Sequence, residues 1–133
     1  MSTLDYHPLY LKGIEQFNRR EFFQSHETWE ELWLQVEGKE RLFFKGLIQA
    51  AVALLHLHRG NIHGARKLLA GAGRYLEPFR VKHLGLNLNV FLTELDRCVD
   101  DATAHRTESG MPVVNPALIP EIRLQPASHP RPD

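Results

Sequence analysis

The sequence has few of the features that mark disulfide-rich, thiolate-metal or phosphate-binding proteins. One cysteine, Cys98, is present among 133 residues, which excludes an internal disulfide bond and a zinc centre built from several thiolates. Neither charge is in excess, because 16 Lys and Arg residues balance 16 Asp and Glu residues. This balance argues against nucleic acid as a partner, since proteins that bind the phosphate backbone usually carry a basic excess.

Long hydrophobic runs are also absent. The longest run, residues 46–57, covers about twelve residues and contains Gln49 and His56, whereas a membrane-spanning helix needs about twenty apolar residues. The N-terminal residues lack the basic and then apolar pattern of a secretion signal. We therefore expect a cytoplasmic protein without a membrane partner.

Apolar residues recur every three or four positions in five segments, which predicts helices, and no segment shows the alternation of a strand. The predicted helices cover residues 6–17, 22–36, 40–59, 62–77 and 90–102. Asp5 and Asn61 are the predicted N-caps of the first and fourth helices, because short polar side chains accept hydrogen bonds from free backbone amides. The third helix is apolar on almost every side, so we expect it at the centre of the fold.

The last part of the chain has a different composition. Residues 105–133 contain six of the eight prolines, which excludes a regular helix there. We predict one helical domain over residues 1–104 and a proline-rich tail over residues 105–133 that is partly docked and then frayed. The predicted fold class is all-α: a compact five-helix domain of antiparallel helical hairpins with a proline-rich C-terminal tail.

Two corners of the chain, residues 18–26 and 59–65, have similar patterns. Each lies between an apolar helix and a second helix, and the spacing of about forty residues predicts a weak internal repeat. The pattern loosely resembles tetratricopeptide repeats. Two hairpins are fewer than the three or more units that a repeat-type binding surface usually needs.

Several polar residues are predicted on buried faces. On a helical wheel His26 lies in the stripe of Trp29 and Trp33, with Glu30 at its edge. Gln49 and His56 belong to a polar stripe on the third helix, with Lys45. An unpaired buried polar atom costs about 1–3 kcal/mol, so we expect these side chains to pair with one another. The predicted inward polar cluster, between helices two and three, contains His26, Glu30, Trp33, Gln49 and His56.

The residues of this cluster leave three interpretations open. One is a purely structural hydrogen-bond network, and a second is a pocket for a small molecule or protein partner. The third is a divalent metal site in which His26, Glu30 and His56 are the ligands and one coordination position stays open for water. Against the third, neither the third nor the fourth helix supplies the Glu-x-x-His pair that would complete a two-metal bundle site.

Two separated blocks of the sequence resemble the domain-of-unknown-function family 309. The first is Phe17-Asn-x-x-Glu-Phe-Phe-x-x-His26-Glu-x-x-Glu30-x-x-Trp33. The second comprises Gly46-Leu-Ile-Gln49 and His56-x-x-Arg-Gly60-Asn61-x-x-Gly64-Ala65-x-x-Leu68-Leu69. The resemblance covers roughly residues 9–102 and implies a small all-helical domain of unsettled activity. It also implies that the family's characteristic positions include His26, Glu27, Glu30, Trp33, Gln49, His56 and Asn61.

The sequence does not decide whether the protein is an enzyme. The favoured hypothesis is a non-catalytic binding or scaffold module with an inward polar cluster, and a protein partner or a homo-oligomer is the expected form of binding. The alternative is a metal-dependent hydrolase that uses the His/Glu site between helices two and three.

Overall fold

The computed structural model describes residues 6–125, and within this range the chain folds into five α-helices that pack against one another. The all-α class predicted from the apolar spacing is confirmed. The helices are α1 (Pro8–Asn18), α2 (Phe22–Trp33), α3 (Lys39–His58), α4 (Ile62–Leu76) and α5 (Leu88–Ala104).

The third predicted helix is central, as expected. α3 packs against α2, α4 and α5, and ten of its residues are buried: Phe43, Phe44, Gly46, Leu47, Ile48, Ala50, Ala51, Ala53, Leu54 and Leu57. Small residues alternate with large ones on this helix, which lets neighbours approach its backbone from two sides. The hairpins α1–α2 and α3–α4 are thus joined through α3.

The prediction that the chain has no strand was wrong at one place. Between α4 and α5, β1 (Lys82–His83) and β2 (Leu86–Asn87) pair antiparallel, with Lys82 opposite Asn87. The connecting residues Leu84 and Gly85 both have positive φ, 47° and 78°, as a tight type I′ turn requires. Strands of two residues are too short to show alternation in the sequence.

The capping prediction was right at α4 and wrong at α1. The Asn61 side chain accepts from the amide of Gly64 at 2.9 Å. α1 begins at Pro8, and its N-cap is His7, whose Nδ1 accepts from the amide of Leu9 at 3.0 Å. The predicted cap, Asp5, lies outside the described residues.

The two corners that the sequence showed to be similar are built alike. After α1, Arg20 has φ 68° and the amide of Glu21 donates to Gln16 O at 2.9 Å. After α3, Gly60 has φ 85° and the amide of Asn61 donates to His56 O at 2.8 Å. Both are Schellman-type helix ends, in which one left-handed residue closes the helix. Glycine suits that position better than arginine does.

The most consequential contact between α1 and α2 involves the indole of Trp29. This side chain is fully buried, and its Nε1 donates to Tyr10 O at 3.3 Å. A Cβ atom at Gly13 would overlap the indole ring. The Ser25 hydroxyl donates to Gly13 O at 2.9 Å, so a second hydrogen bond holds the two helices at this short distance.

Four described residues of the predicted tail are buried, namely Pro112, Ile119, Pro120 and Ile122, whereas residues 105–111 are exposed. Ile122 is buried, and Asn18 holds its backbone with two hydrogen bonds, of 2.9 Å to the carbonyl and 2.8 Å from the amide. The Tyr6 hydroxyl donates to Gln125 O at 2.9 Å. Residues 126–133, where fraying was predicted, lie outside the described residues, and the domain boundary at residue 104 stays a prediction.

Within residues 6–125, none of the helices combines the length and the apolar character that crossing a lipid bilayer would demand.

We predict that Gly13→Ala destabilises the protein by about 1–3 kcal/mol, because the new methyl group displaces the Trp29 indole and overpacked cores lose that much. Urea denaturation measures the change. The matched control is Gly73→Ala in α4, where a Cβ atom meets nothing within 4 Å. This control should gain up to about 1 kcal/mol from its higher helix propensity. Equal effects of the two substitutions would contradict the close packing at Gly13.

We also predict a loss of stability at alkaline pH that depends on Tyr10. The ring is fully buried and its hydroxyl donates to Leu84 O at 3.0 Å. Burial raises the pKa of this phenol well above its ordinary value of 10.0, and Tyr6 and Glu40 raise it further. The folded state therefore keeps the phenol neutral, and its contribution to stability is lost as the pH rises above the unfolded value.

The free energy of unfolding, measured in urea between pH 8 and 11, should fall more steeply for the wild type than for Tyr10→Phe. At pH 8 the variant should be less stable by about 1 kcal/mol, because it lacks one buried hydrogen bond. Identical slopes above pH 10 would show that Tyr10 does not carry the effect.

Candidate functional site

The rotation of α2 decides where the predicted site residues lie. Its buried residues are Phe22, Ser25, Thr28, Trp29 and Leu32. At about 100° per residue, His26 lies roughly a quarter of a turn from the centre of this face, and Glu30 lies further round. The expected inward orientation of both was wrong: His26 is partly buried and Glu30 is exposed.

His26 interacts with its own helix. Its Nδ1 lies 3.0 Å from Phe23 O, so Nδ1 carries a hydrogen that it donates to the carbonyl. Its Nε2 lies 3.8 Å from Glu30 Oε2, a distance too long for a hydrogen bond, and the two groups form an ion pair only when the imidazole is protonated. The ring also lies 5.5 Å from the Phe23 ring, measured between centroids. His26 and Glu30 therefore meet as predicted, but on the outside of the helix.

Trp33 is paired with two cations from α3. The guanidinium carbon of Arg41 lies 3.9 Å from the centroid of the indole, and Lys45 Nζ lies 5.3 Å from it. Arg41 Nε also donates to Trp33 O at 3.2 Å. Cation–π contacts of this kind contribute about 0.5–2 kcal/mol. Arg41 was not among the predicted site residues, because its position over Trp33 depends on how α3 packs against α2 after the turn at Gly38.

Gln49 faces α4 and not α2. Its Oε1 is buried and has no hydrogen-bond partner in the part of the chain that the structure describes. A Cβ atom at Gly71 would overlap this oxygen. The absence of a side chain at Gly71 is therefore what leaves room for the carboxamide between α3 and α4.

His56 belongs to the corner between α3 and α4. Asn61 Nδ2 lies 3.1 Å from His56 Nδ1, and the amide group can only donate, so this ring nitrogen accepts and the imidazole hydrogen is on Nε2. The same Asn61 caps α4 through its oxygen. His56 thus holds the capping side chain in position.

The predicted cluster is divided into three places: His26, Glu30 and Trp33 on α2, Gln49 against α4, and His56 at the corner. Among residues 6–125, no group of three or more His, Cys, Asp and Glu side chains is placed to hold a metal ion. The proposed ligand set of His26, Glu30 and His56 is therefore not assembled in this region, and the hydrolase alternative has no three-donor centre there.

The single thiol is not poised for chemistry either. Cys98 is fully buried on α5. Burial raises the pKa of its thiol to about 11, and Asp101 adds to the shift while Arg20 opposes it. Because the thiolate is the nucleophile, burial and the raised pKa both disfavour reaction of Cys98 at neutral pH.

These features define a small all-helical domain with a partly exposed aromatic and charged face on α2. The family model described as "Domain of unknown function (DUF309)" matches residues 10–68, which confirms the resemblance seen in the sequence over this range; its extension to residue 102 stays a prediction. The matched residues include every member of the predicted cluster.

An uncharacterised protein of Bacillus subtilis (strain 168), YpuF, is 38% identical to the chain over 86 residues. The alignment covers 62% of this chain and 49% of YpuF, so the chain spans about half the length of this relative.

We predict a coupling between Gln49 and Gly71 that a double-mutant cycle measures. Gly71→Ala should gain less than the full helix propensity of alanine, which is up to about 1 kcal/mol, because the new methyl group displaces the Gln49 carboxamide. In a Gln49→Ala background the clash is absent, so the same substitution should stabilise the protein more. Gly73→Ala, on the same helix, should change the free energy of unfolding by the same amount in both backgrounds. Additive effects at positions 49 and 71 would contradict the contact.

Proposed function

We propose that the protein is a non-catalytic binding module whose contact surface is the outer face of α2. This surface, called the α2 surface below, consists of Phe23, His26, Glu30, Trp33 and Leu34 together with Arg41 and Lys45 of α3.

The observation that carries the proposal is the stack of Arg41 on Trp33, at 3.9 Å from the ring centroid. Tryptophan and arginine are among the residue types that contribute most to binding energy at protein interfaces. The hydrogen bond from Arg41 Nε to Trp33 O fixes the guanidinium before any partner arrives. Less side-chain entropy is then lost on binding, which favours affinity.

Exposed apolar side chains extend this surface along the helix. Phe23 is 46% exposed and Leu34 is 69% exposed. Both lie on the side of α2 opposite the buried face, with His26 and Glu30 between that side and Trp33. An interface core needs apolar side chains beside a polar rim, and the α2 surface offers both.

Charge on α2 indicates the kind of partner. The helix carries Glu27, Glu30 and Glu31, all exposed, and no Lys or Arg. These three carboxylates outnumber the two cations of the α2 surface, Arg41 and Lys45, which are held over the Trp33 ring. Complementary charge speeds association and selects partners, so the proposed partner is a basic protein segment with apolar residues on one side.

A second copy of the chain has one suitable surface. α4 carries Arg66, Lys67 and Arg74 and no Asp or Glu, and it packs on α3 as α2 does. The α2 surface of one copy facing α4 of the next would pair unlike charges, although Asp100 already holds Arg66 at 3.1 Å.

The test titrates the protein with a helical peptide of leucine and lysine whose charges lie on one side. We expect saturable binding, measured by isothermal titration calorimetry on the unaltered chain. Trp33→Ala, followed by calorimetry, should weaken the affinity about tenfold or more, the size of a hot-spot substitution. The control Tyr75→Ala alters a partly buried aromatic residue on α4 and should leave the affinity unchanged.

Equal binding of the matched leucine and glutamate peptide, or an unaltered affinity after Trp33→Ala, would contradict the proposal. Sedimentation over a hundredfold range of concentration tests the second copy as partner. Association that Glu27→Lys with Glu31→Lys abolishes supports pairing through α2, whereas association that this double variant leaves unchanged would assign the contact to another surface.

A further inference from the structure

A cavity of about 630 Å³ lies between α5 and the segment of residues 116–123, away from the α2 surface. This volume is within the range of about 300–1,000 Å³ that small-molecule sites occupy. Three arginines, Arg20, Arg97 and Arg123, and two glutamates, Glu94 and Glu121, line it. Its apolar lining includes Val90, Phe91 and Ile119.

The three guanidinium groups differ in their present partners. Arg123 is paired with Glu121 at 2.7 Å, so these two charges offset each other. Arg20 makes one long hydrogen bond, of 3.4 Å, to Asn18 O. The Arg97 side chain makes no hydrogen bond or ion pair within residues 6–125. Arg20 and Arg97 stand against one further carboxylate of the lining, Glu94, so one positive charge is in excess. Two cationic side chains are thus available for an oxyanion, which guanidinium groups bind with paired hydrogen bonds.

Arg20 stands where the backbone favours glycine. Its φ of 68° is left-handed, and the equivalent corner after α3 has Gly60 with φ 85°. A side chain other than glycine in this conformation costs about 1–2 kcal/mol. Strained residues of this kind occur at functional sites, where the side chain has a use that offsets the cost. The use available to Arg20 is its place in the wall of the cavity.

The apolar wall is also open to a ligand. Val90 is 49% exposed although it is on α5, next to the buried Phe91. A ligand body packed on these side chains would remove apolar surface from water, at about 25 cal/mol per Å² buried.

We propose that this cavity binds a small anion with an apolar body, either a carboxylate or a phosphate monoester. Arg20 and Arg97 hold the oxyanion, and Val90, Phe91 and Ile119 pack against the body. This site is independent of the α2 surface, and neither proposal rests on the other.

The test uses four probes on the full chain: 2-naphthoate, 2-naphthyl phosphate, the neutral 2-naphthamide and inorganic phosphate. Calorimetry gives the affinity, and amide chemical shifts locate the binding. At least one naphthyl anion should bind saturably with shifts at Val90 and Phe91, and the tighter of the two identifies the oxyanion. The amide and inorganic phosphate should each bind at least about tenfold more weakly, since each lacks one of the two interactions.

The decisive variant is Arg20→Gly. It should weaken binding of the preferred anion about tenfold or more, as expected for loss of a charged hydrogen-bond partner, and should raise the melting temperature because the left-handed strain is relieved. Arg19→Ala is the matched control, since Arg19 is exposed and pairs with Glu15 at 3.4 Å; it should leave the affinity unchanged. Arg97→Ala, on α5, tests in the same way whether the second guanidinium group contributes to the affinity for the anion.

Loss of affinity together with a gain of stability supports the site, because a merely structural role for Arg20 would not separate the two. The proposal is overturned if neither naphthyl anion shifts the cavity amides, if the neutral amide binds as tightly as the anions, or if Arg20→Gly and Arg97→Ala both leave the affinity unchanged. If inorganic phosphate binds as tightly as naphthyl phosphate, the proposed packing of the apolar side chains against the ligand body is wrong.

Discussion

The close approach of α1 and α2 at Gly13 fixes much of the rest of the structure. The indole of Trp29 occupies the space where any other residue at position 13 would carry its side chain. Seating this ring determines the rotation of α2 about its own axis. His26, Glu30 and Trp33 are turned outward as a direct result, so a packing constraint in the core determines which side chains form the α2 surface.

The helices themselves were predictable from the sequence, and the orientation of their polar residues was not. The spacing of apolar residues identified five helices, and Gly60-Asn61 identified the sharp corner between α3 and α4. Trp29 and Trp33 are four positions apart, and both residue types are common in cores. The predicted buried face of α2 was therefore centred between them, which placed His26 and Glu30 too close to the core. The missing information was the contact with Gly13, which depends on how two separate helices pack.

The candidate site shows the same division between local and long-range information. The pair of His26 and Glu30 followed from their spacing on one helix. Arg41 over Trp33 and Gln49 against Gly71 depend on how neighbouring helices align, which no local pattern records. The net charge of zero does not show where the charges lie. α2 carries three glutamates and α4 carries three basic residues, and this separation cancels in the total.

The hydrogen bond between Tyr6 and Gln125 joins positions 119 residues apart, and the two bonds from Asn18 to Ile122 close nearly as long a loop. Closing such loops costs entropy that local helices do not bear, so we expect this closure among the weakest parts of the fold and the first to open in mild denaturant. Residues 116–123 form one wall of the arginine-lined cavity, so we expect loss of these long-range hydrogen bonds to open the cavity as well. By mass action, a ligand bound in the cavity would stabilise these long-range hydrogen bonds, and the hydrogen bonds would in turn strengthen binding of the ligand.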